Sequence, residues 1–182
     1  MAEIKPINGQ IFLERDARDE THSDMYVSEK AQVDNLKATV AFCEADSVLL
    51  VGERTLVPYY NAQNVVVDGR ELTTTKAGNL FAKEKTDGSY QPINDFVMVR
   101  KCENEHVLDS SGDIALYMTE HYIEFTQWVE VIDVGAGCKH IKPEHIGLFC
   151  VAPEDDERLA RIGYSKDFCL REDAIEFLTT GE

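Results

Sequence analysis

The chain has 182 residues, 43% of them hydrophobic, with a formal net charge of −16 and a pI near 4.6. So acidic a chain repels nucleic-acid phosphates and anionic lipid, which sets both aside as main partners. No run approaches the roughly 18 apolar residues of a membrane span, and the opening MAEIKPING lacks the apolar stretch of a secretory signal, so a cytoplasmic protein is expected.

In chain order, β-branched and aromatic residues come in short bursts separated by turn residues, which reads as all-β. Strands are expected at 10–15, 38–43, 47–51, 55–60 and 64–67, with 79–84 (NLFAKE) closing the first half. Thr86-Asp87-Gly88-Ser89 is polar and turn-prone and is expected as a linker. The second half offers 95–101, 121–134, 146–151, 159–163 and 166–170; in 122–134 the apolar residues alternate as they do in a strand with one buried face. The end, 171–178 (REDAIEFL), suits one or two turns of helix, or a 3₁₀ turn followed by a strand. Residues 16–37 and 102–120 read as long polar loops, each directly after the opening strand of its half. Loops longer than about 12–15 residues are uncommon inside compact domains and are usually functional or disordered.

Residues 5–15 (KPINGQIFLER) and 91–101 (QPINDFVMVRK) say nearly the same thing, with Pro6-Ile7-Asn8 returning 86 positions later as Pro92-Ile93-Asn94. An offset that long does not suit a solenoid repeat. It suits two copies of one small domain, expected at 1–85 and 90–182. Domains of that size bury a limited core and often lean on neighbours.

In the second loop, Ser110-Ser111-Gly112-Asp113-Ile114-Ala115-Leu116 sets a small apolar cluster in polar surroundings. It is either a buried edge strand or an anchor held out for a partner. Around it, Pro92-Ile93-Asn94-Asp95 and the strand Phe96 to Arg100 come first. Then follow Gly112-Asp113-Ile114-Ala115-Leu116, the run Trp128 to Val134 with Gly135-Ala136-Gly137, the element Glu144-His145-Ile146-Gly147-Leu148-Phe149, and the ending Leu170-Arg171-Glu172-Asp173-Ala174-Ile175. In order and spacing across 91–178 this resembles the GroES-type co-chaperonin family. The family carries a Pro-Leu-x-Asp opening, a mobile loop with a Gly-Gly-Ile-Val-Leu type anchor, a Gly-x-Val-x-x-Val-Gly-x-Gly strand and turn, a Val-Gly-Asp element and a Ser-Glu-x-Asp-Ile-Leu ending. The first half is a diverged copy: Met25-Tyr26-Val27 stands at the anchor without its glycine, and Gly52 sits in Leu50-Val51-Gly52-Glu53 without the Val-Gly-x-Gly turn. Between Gly137 and Ile146 there is no room for the family's long roof hairpin. Some bacteriophage co-chaperonins also lack it, so the resemblance admits a phage origin.

The resemblance implies two tandem GroES-like β-barrels that self-associate into a ring and cap a GroEL-type chaperonin in its ATP-bound state. Gly112, Ile114, Ala115 and Leu116 would be the main contacts and Met25, Tyr26 and Val27 the secondary ones. Burying Ile and Leu in a partner groove is worth about 1.5–3 kcal/mol each, less the cost of ordering the loop, so several loops on one ring would act together. Two other classes stay open. One is a β-barrel interaction or virion-assembly protein that keeps the fold without chaperonin binding. The other is a metal or redox protein built on Cys138, His140, His145 and Cys150, although C-x-H-x4-H-x4-C is not a usual zinc spacing. No G-x-S-x-G, P-loop or dinucleotide fingerprint occurs, so neither an enzyme nor a cofactor is expected.

Overall fold

The structure is a computed structural model that describes residues 4–16, 36–58, 61–102, 128–152, 160–162 and 167–180. Among these residues there is no α-helix; all strand pairs are antiparallel and fall in two sheets. The chain divides into two compact units, Met1–Asn94 and Asp95–Glu182.

The first unit holds β1 (Gln10–Arg15), β2 (Leu36–Phe42), β3 (Arg54–Val57), β4 (Gln63–Val67), β5 (Arg70–Lys76), β6 (Ala82–Glu84) and β7 (Tyr90–Pro92), in the order β4-β5-β1-β2-β3-β6-β7. Its core forms where one face of each strand turns inward: Ile11 and Leu13 of β1, Ala38 and Val40 of β2 and Val57 of β3 are buried with Leu49, Leu80 and Ile93. The second unit holds β8 (Phe96–Lys101), β9 (Trp128–Val134), β10 (Phe149–Val151), β11 (Ala160–Arg161) and β12 (Asp167–Arg171), in the order β11-β12-β8-β9-β10. Val97, Val99, Val129, Val131, Phe168 and Leu170 fill its core.

The two orders are the same order. β8 takes the place of β1, β9 of β2, β10 of β3, β12 of β5 and β11 of β4. The agreement reaches single residues. The register slips between Phe12 and Leu13 where β1 meets β2, and between Met98 and Val99 where β8 meets β9, positions 86 apart. Asn8 and Asn94 both adopt positive φ, at 58° and 55°, a region Asn enters more readily than most residues. Gly52 and Gly147 share φ of 90°, and each donates its N–H to the core valine of the preceding strand, Val40 O at 2.8 Å and Val131 O at 2.9 Å. The first unit is thus a true repeat, and Gly52 is the counterpart of Gly147. From sequence, Gly52 was noted only as lacking the Val-Gly-x-Gly turn, and no counterpart was assigned to it.

Several expectations are corrected. Neither strand order returns on itself, so the described sheets are open and not two closed β-barrels. Residues 47–51 form turns in place of a strand: Leu49 is buried, but Leu50 and Val51 stand exposed before the Gly52 turn. Residues 79–84 do not close the first half. A 3₁₀ turn (Ala77–Asn79) precedes β6, and β7 pairs beyond it. Thr86–Ser89 is no linker but the turn of the β6–β7 hairpin, where Lys85 N–H bonds Ser89 O at 2.7 Å and the Asp87 carboxylate accepts from the Ser89 N–H and hydroxyl. β5 was not expected at all. Asp68-Gly69 turns β4 into it with φ of 50° and 76°, the two positive values of a tight two-residue hairpin. At the chain's end, a 3₁₀ turn (Glu172–Ala174) is followed by a bridge between Phe149 and Thr179, the second of the two alternatives left open there.

Candidate functional site

β1 and β2 are consecutive, as are β8 and β9, and each pair is closed at one end by a further backbone bond. Asp16 N–H donates to Lys37 O and Cys102 N–H donates to Trp128 O, both at 3.1 Å. These bonds occupy equivalent positions, so the two long insertions leave and re-enter their units at the same hairpin end. Met25, Tyr26, Val27, Gly112, Ile114, Ala115 and Leu116 all lie outside the described residues, between these roots. The roots carry surface charge and aromatic contacts. Arg54 pairs with Asp16 and, at 3.3 Å, with Glu84; the Lys37 ammonium sits 6.0 Å over the Tyr90 ring. In the second unit Arg100 donates to both oxygens of Asp167 at 2.7 and 3.1 Å, and Trp128 meets Phe177 edge-on at 6.1 Å. Exposed pairs of this kind contribute about 0–1 kcal/mol each, so they orient the roots more than they hold the units together.

At the opposite end of β1 and β8 lies a cleft, present in each unit. In the first it is bordered by Gly9, Glu44, Asp46, Val48, Ala77 and Asn94 and encloses about 270 Å³. In the second it is bordered by Asp95, Gly137, Lys139, Glu172, Ile175 and Glu176, among others, and encloses about 500 Å³. Glu172 organises the second cleft. Its carboxylate accepts the backbone N–H groups of Lys139, His140 and Ile141 at 2.8, 2.5 and 2.6 Å. Burial works against its charge, but the three N–H donors outweigh burial and hold the carboxyl below its ordinary value. Arg171 clamps Asp95 at 2.8 and 2.9 Å and stacks 4.7 Å over the Phe96 ring. The Lys142 ammonium donates to Cys138 O at 2.7 Å, tying down the short turn between them.

The cysteine and histidine set does not converge. Cys138 and Cys150 belong to the core of the second unit, and among the described residues no three His, Cys, Asp or Glu side chains gather as a metal set. His145 Nδ1 accepts the Lys142 N–H at 3.1 Å. Burial pushes the Cys138 thiol up to about 11, with Glu172 and Asp95 adding to the shift. Burial likewise pushes Cys150 up to about 11, and raises Cys102 and Cys169. These four thiols are neutral at physiological pH, and the thiolate is the form that attacks or ligates.

The sequence reading missed the clefts. Of the repeated Pro-Ile-Asn, only Asn94 lines a cleft, the first, where it sits at φ 55° with its amide on Ala77 O and Leu80 O. No helix among the described residues is long and apolar enough to cross a membrane. No protein-family model matches the chain, and no curated protein matches it.

Proposed function

We propose that the chain is a tandem GroES-like co-chaperonin, two GroES-like domains in one polypeptide, whose loops dock on a GroEL-type chaperonin in its ATP-bound state and help close the cavity in which proteins fold. The observation that carries this reading is the equivalence of the two insertion roots. Two copies of one β-domain each interrupt the same hairpin with a long polar segment, and each segment holds a small apolar cluster where the family holds its anchor. An extended loop in an apolar groove gains main-chain hydrogen bonds and a few buried side chains. One such loop binds weakly, and several presented together bind through effective concentration.

Ile114→Ser with Leu116→Ser removes about 3 kcal/mol or more of burial per docked loop and replaces none of the described core residues. In ATP-dependent co-sedimentation with a chaperonin, the wild type is expected in the pellet and the double variant in the supernatant. The same change at Met25 and Val27 is expected to cost less, because Tyr26 is bulky and the glycine is missing. Wild-type binding by the Ile114/Leu116 variant would reject the anchor assignment and favour an assembly or interaction protein on the same fold.

A further inference from the structure

The sheet of the first unit has β4 at one edge, and among the described residues only β5 pairs with it. The pairing runs without a slip from Gln63 opposite Thr74 to Val67 opposite Arg70, where the Asp68-Gly69 turn closes it. An antiparallel ladder uses the backbone groups of alternate residues. The two-residue turn makes Val67 the first of them, so β5 takes the N–H and C=O groups of Val67, Val65 and Gln63. Those of Asn64 and Val66 point to the open side, where they bond no backbone group among the described residues.

Unpaired edges invite other strands, and proteins blunt them by shortness, charge, proline or a bulge. The other described edges are blunted. β7 has three residues and ends on Pro92; β10 has three, and Phe149 bridges Thr179 there; β11 has two, one of them Arg161. β4 has five residues, Gln63-Asn64-Val65-Val66-Val67, with no charge, no proline and no bulge, in a chain of net charge −16. Among the large hydrophobic side chains described, Val66 is the most exposed at 70%, ahead of Ile7 and Val51 at 63% each.

We infer that β4 docks on the β4 of a second copy of this chain, antiparallel about a two-fold axis through Val65. In that register the strand is its own complement. Asn64 and the partner's Val66 exchange both N–H···O bonds, and the axis repeats the exchange, which satisfies the open backbone groups of both copies. Val65 meets the partner's Val65 directly, and Val66 lies diagonal to the partner's Val66; apolar cross-strand pairs at these spacings attract. Asp68 falls opposite Ala62, so no two charged side chains face each other along 62–68. Copies of so acidic a chain repel each other over the rest of their surface, and this strand is where that repulsion is absent. That match of a strand to itself favours a second copy over a foreign strand. The joint uses the same surface on both molecules and closes at a pair. It is therefore distinct from the ring that the resemblance implies, and it needs no chaperonin.

The test is disulfide cross-linking of the full chain under mild oxidation, read on a non-reducing gel, with the wild type giving the background from its five native thiols. Val65→Cys sets two thiols beside the axis, at a Cα separation that a disulfide spans, and is expected to give a covalent dimer. Val67→Cys, half-buried on the same face, has Gln63 opposite it and its own counterpart about 13 Å further along the strand. It is expected to join about tenfold more slowly. An equal mixture of Gln63→Cys and Val67→Cys is expected to join the two chains to each other. Val66→Pro removes an N–H that β5 does not use, a change an edge strand tolerates. Added to Val65→Cys, with unchanged far-UV circular dichroism, it is expected to abolish the dimer. Joining of Val65→Cys at the wild-type background overturns the proposal. So does equally fast joining of Val67→Cys, a mixture that joins no faster than its two components alone, or a folded Val65→Cys, Val66→Pro variant that joins as Val65→Cys does.

Discussion

Set side by side, the two units show one backbone plan filled by two kinds of interior. Where the second unit buries Cys150, Phe168 and Leu170, the first buries Thr55, Thr73 and Thr75 at the matching register positions. The threonines are bonded. Thr55 donates to Ala82 O at 2.8 Å, Thr73 accepts from Arg15 Nε at 2.6 Å, and Thr75 donates to Asn61 O at 2.7 Å while accepting from Asn79 at 3.2 Å. A strand order survives such an exchange because main-chain pairing and alternation specify it. What does not survive is interchangeability, since each hydroxyl needs a partner that only its own unit supplies.

The largest expected effect comes from forcing that exchange. Leu170→Thr gives the second unit the residue that the first carries at Thr75. It deletes apolar volume at a fully buried site and leaves a hydroxyl without the Asn61 and Asn79 partners. The volume loss alone resembles a large-to-small core change of about 2–5 kcal/mol, and an unsatisfied hydroxyl adds about 1–3 kcal/mol. Trp128, the chain's single tryptophan, reports on the second unit, so urea unfolding followed by its fluorescence is expected to move to much lower denaturant. The reverse change, Thr75→Leu, abandons two partly exposed groups that water can satisfy, and is expected to cost about 1 kcal/mol. Equal costs in the two directions would mean that hydroxyl partners do not distinguish the interiors.

A smaller effect is expected at Glu172, whose place in the first unit is taken by Ala77. Glu172→Gln removes the negative charge that three N–H groups share. Bonds to a charged acceptor are worth about 1.5–3 kcal/mol when shielded, and partial exposure here reduces that to about 1 kcal/mol. The folded carboxyl lies below its ordinary value. Its contribution is therefore complete above the unfolded carboxylate pKa of about 4.3 and is lost as pH falls through the folded value. Trp128-monitored unfolding at pH 7 and at successively lower pH is expected to show a destabilised variant that is also less sensitive to acid than the wild type. An acid dependence identical to wild type would show that other carboxylates carry it.

Much of this comparison was legible in the chain, and the failures have physical causes. The paired Pro-Ile-Asn and the alternation of Ile11 with Leu13 and of Val129 with Val131 gave β1, β8 and β9 because period two leaves a mark in sequence. β5 escaped because Thr73-Thr74-Thr75 reads as polar until its hydroxyls are seen bonded, although Asp68-Gly69 announced the hairpin. Gly88 was taken for a linker since a tight hairpin and a flexible joint use the same residues. Gly52 was left without a counterpart because the segment between β2 and Gly52 is shorter than that between β9 and Gly147, and spacing alone does not say where residues are missing. The contrast between Ile7 and Ile93 is not in the sequence at all: identical tripeptides differ in burial through what lies beside them. Met25 to Val27 and Gly112 to Leu116 rest on sequence alone.

The smallest effect expected has the opposite sign. Ser47 occupies the place of Cys138, each donating its N–H back over the same turn, to Glu44 O and Gly135 O at 3.1 Å. The Cys138 thiol reaches Phe96 O at 3.5 Å, a distance sulfur can use. The shorter Ser47 hydroxyl is buried without a hydrogen-bond partner among the described residues. A buried polar group left unpaired costs stability, and removing it recovers part of the cost. Ser47→Ala loses one oxygen that bonds nothing and leaves a space smaller than a methyl group. It is therefore expected to stabilise the first unit by up to about 1 kcal/mol. Ser47→Cys, which copies the second unit, is expected to do at least as well. Urea unfolding of the first unit, followed by far-UV circular dichroism with Trp128 fluorescence as the internal reference, separates the outcomes. Stabilisation in the first transition with the Trp128 transition unmoved supports an unpaired hydroxyl. Destabilisation by Ser47→Ala would mean that the Ser47 hydroxyl is bonded after all, by water or by a residue outside those described.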